Sequence, residues 1–183
     1  ALAVVCAAAA YAFPRFRVLL QPLVSAIKAV PVASFIILAL VWVRSSYLSV
    51  LISAMMCFPA VYLGVLAGAG AADPTLLEMA SVYSMSFWHR LIGIYVPAVL
   101  PSFRAAVKLA LGLCFKSGIA AEVIGLPKGT VGDYLYHAKI YFETADLFAW
   151  TVTVVLAATI FEKILLLLLD RALAAWGTNE EGR

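Results

Sequence analysis

Apolar residues along this chain gather into five blocks, at 1–13, 31–43, 47–72, 94–124 and 145–169, separated by stretches rich in Pro, Gly and charge. Within each block the hydrophobic residues are nearly continuous, the pattern of a helix surrounded by apolar neighbours. Several blocks approach the roughly 20 residues needed to cross a hydrocarbon core of about 30 Å. The pattern predicts an all-α, polytopic membrane bundle of about five spans. The first block, with no initiator Met or basic leader before it, is read as the remaining part of a membrane helix in a chain whose N-terminus is missing.

Between the blocks, Pro14, Arg15, Arg17, Gln21, Pro22 and Lys28 make a connection too polar for lipid, expected at the interface. Arg44, Ser45 and Ser46 form a tight link into the third block. There Gly64 and Gly68 have the G-x-x-x-G spacing that lets membrane helices approach closely. The pattern changes at 73–93. Asp73 is placed to cap a helix with Pro74 in its first turn. Leu76, Leu77, Met79, Ala80 and Tyr83 then supply apolar positions, and Glu78, Ser81, Ser84, Ser86, His89 and Arg90 polar ones, so one short helix outside the membrane is expected. Gly125, Pro127, Gly129 and Gly132 predict a loop, followed by a second amphipathic piece at 133–143 and, after the last block, a polar tail at 170–183. No repeat or separate soluble domain is visible, so 1–183 is taken as a single membrane domain.

Composition sharpens this picture. Hydrophobic residues make up 65% of the chain and charged ones 13%, against about 25% charged in soluble domains. The net charge of +3 is scattered, with no basic cluster to track a nucleic-acid backbone. It is better read as topology, because basic residues favour the cytoplasmic ends of spans. With 73–93 cytoplasmic, Arg15, Arg17, Lys28, Arg90, Arg171 and Arg183 share that side, against Arg44, Lys128 and Lys139 opposite.

Arg104, Lys108, Lys116 and Glu122 lie inside the fourth block. An ionisable group at bilayer depth costs about 2.5–3.5 kcal/mol on insertion scales, so these are expected to face protein or a solvated path. Lys108, Lys116 and Glu122 are candidates to line such a path, where a basic stripe would suit an anionic solute. The alternative puts Arg104 and Lys108 at the cytoplasmic interface and gives Lys116 and Glu122 buried structural contacts. On a straight helix Lys116 and Glu122 point apart; pairing them needs a break near Gly118.

Catalytic patterns are absent. Gly125-Leu126-Pro127-Lys128-Gly129-Thr130 does not keep the order of a phosphate loop, and neither a nucleophile elbow nor an H-E-x-x-H pair occurs. His89 and His137 are isolated, and Cys6, Cys57 and Cys114 sit in apolar runs without metal-ligand spacing. No catalytic residue, metal or cofactor is expected.

One spaced pattern remains: Glu78-Met79-Ala80, then Ser84, then Ile94-Tyr95-Val96-Pro97. It resembles the EAA motif of ABC importer permeases, which runs E-A-A, three residues, G, nine residues, I-x-L-P; Met79 and Val96 are hydrophobic substitutions within it, and Ser84 departs from its Gly. The runs Pro31–Phe35, Pro97–Leu100–Pro101 and Lys116-Ser117-Gly118-Ile119-Ala120-Ala121-Glu122 through Pro127 are similar to the subgroup associated with nitrate, sulfonate and taurine uptake. The resemblance implies a permease of the bacterial cytoplasmic (inner) membrane working by alternating access. It also implies ATPase subunits that bind the ATP, an external solute-binding protein, and a second permease chain forming a homodimer in the bilayer. Glu78, Met79, Ala80, Ser84, Arg90, Ile94 and Pro97 would carry ATPase coupling, with Glu78 and Arg90 as rim charges. Members usually carry further N-terminal membrane sequence. A secondary transporter or channel remains the alternative, as does, more remotely, a membrane-embedded enzyme.

Overall fold

Pro14 and Pro31 punctuate the start of the chain, each preceded by a residue in extended conformation, as proline sterics require. The computed structural model describes residues 1–177, with side chains through 172. Helices α1 (Leu2–Ala12), α2 (Pro14–Ala29), α3 (Val32–Leu40) and α4 (Ser45–Gly70) come first. They are followed by α5 (Pro74–Val82), α6 (Phe87–Arg90), a π turn at Leu91–Tyr95, α7 (Val96–Gly125), α8 (Val131–Ile140) and α9 (Thr144–Gly177). Among the described residues there is no strand. The protein is an all-α, multi-pass membrane protein.

Against the expected five spans, the described residues contain three or four candidates by length and composition. Helix α4, the continuous run Phe87–Gly125 and α9 are long and apolar enough to cross a membrane, with a fourth span if α2 and α3 act together. At 1.5 Å per residue, the 11 residues of α1 and 9 of α3 reach about 16 Å and about 14 Å, roughly half a hydrocarbon core. The connection at 14–28 is itself helical. Its buried residues, Val24 and Ile27, are three apart, while Arg15, Arg17 and Lys28 stay exposed. Helix α9 runs on into the expected tail, and residues beyond 177, Arg183 included, lie outside the described part.

The chain divides into two compact units. In the first, 1–31 with 54–110, Ala3, Ala7 and Ala10 form a small-residue stripe on α1. It packs in one cluster with Val24 of α2, Val61, Tyr62, Val65 and Leu66 of α4, and Ala110 of α7. Both glycines of the G-x-x-x-G pair face α7. A Cβ on Gly64 would collide with that of Ala106, and one on Gly68 would come within 2.8 Å of the Val99 Cα.

In the second unit, 32–53 with 111–183, Ile36, Leu48 and Ile52 are fully buried. Ser53 Oγ donates to the Cys114 carbonyl at 3.0 Å. A Cβ on Gly118 would lie 2.8 Å from Ser53 Oγ, so the helices here also meet through small residues. Helix α8 packs on α9 through Tyr134 and Trp150, whose rings stack with centroids 4.8 Å apart.

Candidate functional site

The segment after α4 is built by local chemistry. Asp73 Oδ1 accepts from both the Thr75 amide (2.8 Å) and its hydroxyl (2.7 Å), satisfying one free N–H of the first turn. These two bonds, the hydroxyl's first, hold the exposed Asp73 carboxyl below its ordinary pKa of 3.8. Pro74 occupies the first turn, where no amide proton is needed.

Helix α5 ends after nine residues, well short of the single helix expected across 73–93. Ser84 takes φ 48°, in the left-handed region. Its N–H donates to the Ser81 carbonyl (3.1 Å), and that of Met85 to the Ala80 carbonyl (2.9 Å). This paired closure is a Schellman motif, whose left-handed position usually holds Gly. Ser84 therefore stands, conformationally, where the spaced motif has its glycine. A new helix starts at Phe87, and the π turn at Leu91–Tyr95 leads into α7. The turn is wide here, the Val96 N–H bonding to the Leu91 carbonyl five residues back, and Pro97 after it has no N–H to donate.

The two sides of α5 meet different surroundings. Ala80 is fully buried against Ala72 and Ile94, with Leu77, Met85, Tyr95 and Ala98 around them. Leu76, Glu78 and Met79 are exposed, and so are Val82, Tyr83, Phe87 and Trp88, at 66–80%. Ala80, expected on the outward apolar side, thus turns inward. Arg90 is half-buried, and its Nη2 donates to the Ala80 carbonyl at 3.0 Å. Pro97 is exposed. Val82, Phe87 and Trp88 escaped the sequence reading; all three are exposed on the short helices, and the Phe87 and Trp88 rings meet edge to face.

The charged residues of α7 do not form one group. Lys108 and Lys116 are exposed, and α7 is continuous through Gly118, so Lys116 and Glu122 point apart. Glu122 Oε2 instead accepts the Gly132 N–H at 3.1 Å, at the start of α8, where a carboxylate complements the helix dipole. A Cβ on Gly132 would strike both the Glu122 Cβ and its backbone, so only glycine allows this approach. A cavity of about 360 Å³ in the same unit is lined by Ser49, Ser53, Cys114, Glu122 and Thr153, with apolar residues between them. The Ser53 and Thr153 hydroxyls donate to the carbonyls of Cys114 and Ala149. Neither Lys108 nor Lys116 is on its wall. The sequence reading also passed over Glu162 and Lys163, which lie within α9.

The family described as binding-protein-dependent transport system inner membrane component matches residues 1–176. The chain belongs to that family. Among relatives of this permease family, it is 27% identical over 170 residues to an aliphatic sulfonates transport permease protein of Bacillus subtilis, covering 92% of this chain and 60% of that protein. An aliphatic sulfonates transport permease protein of Escherichia coli is 30% identical over 128 residues, covering 69% of this chain and 48% of that one. The taurine transport system permease protein of the same organism is 24% identical over 164 residues, covering 89% and 59%. This permease-family chain thus spans about 60% of the length of the first and last of these curated relatives. The residues of the EAA-like spacing and those around Glu122 all lie inside the matched region.

Proposed function

We propose that this chain is the membrane-spanning subunit of an ABC importer, taking ATP-driven motion from a partner ATPase through α5 and α6. The observation that carries this reading is the run of exposed apolar and aromatic side chains Met79, Val82, Tyr83, Phe87 and Trp88, with exposed Glu78 among them. It stands on short elements between two long spans, at the spacing of the EAA motif. Such a protruding helix suits insertion into a groove of a partner. The family's binding-protein-dependent character supports a solute-binding protein on the opposite side, and ATP is bound by the partner alone. A second copy of this chain completes the path in the bacterial cytoplasmic membrane, and alternating access moves the solute. The names of the relatives support a small anionic solute of the sulfonate or taurine kind. Lys108 and Lys116 are the basic residues proposed to serve it in the assembled path.

Val82→Asp and Met79→Asp test this reading, because they place carboxylates on the docking side without touching a span. Both variants insert normally, lose the ATPase subunit in a detergent pull-down and lose ATP-dependent uptake. Full ATPase association and uptake in both would make this segment a plain connector and remove the main support for coupling through it, whereas a wild-type chain that binds no ATPase and transports without ATP would favour a secondary transporter or channel.

A further inference from the structure

Only residues 83–86 separate α5 from the next helix, and Arg90 reaches back across that link. Its Nη2 donates to the Ala80 carbonyl, which also accepts the Met85 N–H that closes the turn. The Arg90 Nε is buried and has no hydrogen-bond partner, so the guanidinium is drawn into the chain and held there chiefly by this charge-assisted bond. Ile94, within the π turn that follows Arg90, packs against Ala80 and Ala72. Arg90 therefore ties the last turn of α5 to the root of the long helix at its irregular turn, a kind of distortion frequent at functional sites.

We infer that Arg90 is a positioning residue for coupling: it fixes the angle of α5 to the root of α7, so that a push on α5 enters α7 rather than being absorbed by rotation about Ser84. This differs from the partner-facing charge expected from the sequence. Its consequence for transport rests on the importer reading; the tether itself does not.

Two measurements on the full chain test it. With Cys6, Cys57 and Cys114 replaced by Ala, spin labels at Val82→Cys and Leu109→Cys, both exposed and both in the first unit, report the angle by pulsed electron resonance in lipid nanodiscs. The parent gives one narrow distance distribution, Arg90→Met broadens it, and Arg90→Lys, which keeps a charged donor, narrows it again. An unchanged width in Arg90→Met overturns the proposal. In proteoliposomes with the partner ATPase and binding protein, Arg90→Met retains ATPase association while solute moved per ATP falls about tenfold, within the range of ordinary coupling energies. Lost association would instead mark Arg90 as a partner contact, and an unchanged ratio would leave it without a coupling role. Failure of every variant, the parent included, to bind an ATPase, with the broadening still present, would refute the importer reading and leave the tether standing.

Discussion

Ser84 holds a backbone conformation that costs an L-residue about 1–2 kcal/mol, at a turn on which the orientation of α5 depends. Glycine relieves that cost but gives back about 0.4–1 kcal/mol through the freer unfolded chain. Ser84→Gly is therefore expected to stabilise the protein by about 0.5–1 kcal/mol, and Ser84→Val to destabilise it by at least about 1 kcal/mol, since a β-branched residue fits the left-handed region poorly. Thermal unfolding in detergent measures both, and a lower melting temperature for the glycine variant contradicts the argument. At the other end of α5, the lowered pKa of Asp73 means that its cap is fully present above the ordinary carboxyl value and is lost as pH falls through the lower folded value. Hydrogen exchange at the Thr75 amide should accelerate, relative to its intrinsic rate, through that acid window in the wild type and show no such step in Asp73→Asn. A step of equal size in both would remove Asp73 as the cause.

Among elements, the closest approaches are made by glycine. Gly132→Ala drives a methyl group into the Glu122 side chain and backbone, and side-chain rotation cannot relieve a backbone contact. Overpacking of this kind costs about 1–3 kcal/mol, and here it also pulls the α8 amide from its carboxylate. At Gly112 an added methyl group would meet nothing within 4 Å, so Gly112→Ala should raise stability by about 0.5–1 kcal/mol through helix propensity. Opposite signs for the two substitutions in one unfolding assay are the expected result; equal signs would mean that close approach at Gly132 is not the deciding term. These elements also mark what can be read locally. Asp73, Pro74 and Thr75 announce the start of α5 because cap, proline and acceptor are neighbours in sequence. The end at Ser84 is hidden, since serine seldom takes a left-handed conformation. Periodicity gives α5 an apolar side but not the body that side meets, which is why Ala80 was expected outward. The bond from Gly132 to Glu122 joins two elements across a loop, and no spacing rule contains it.

At the level of the whole molecule, the apolar blocks were legible because lipid demands them, whereas the number of full spans depends on where each helix stops. Helix α3 ends at Leu40 although its apolar block continues to Val43. Topology is open to direct test. The long helical run Phe87–Gly125 joins α5 to α8, so a single crossing puts those short helices on opposite sides of the membrane. Ser81→Cys and Lys139→Cys, each made in a chain without its native cysteines, are expected to react with an impermeant thiol reagent from opposite sides. Labelling of both from one side would contradict that crossing.

The π turn at Leu91–Tyr95 has a further consequence, one of phase. A π turn is the mark of one residue too many for an α-helix, and each residue of an α-helix advances its faces by about 100°. Removing Gly93, against which a methyl group would meet nothing, would let the helix close regularly and leave the membrane segment intact. Because the wide turn already takes up the extra residue, everything before the cut would keep nearly the same phase against everything after it, whereas a one-residue deletion in the regular part of α7 would turn the two by about a quarter of a circle. The first variant would still aim the aromatic residues of α5 and α6 as before, but the second would aim them at the wrong azimuth, and a partner seated there would drive the far part of the long helix in a different direction.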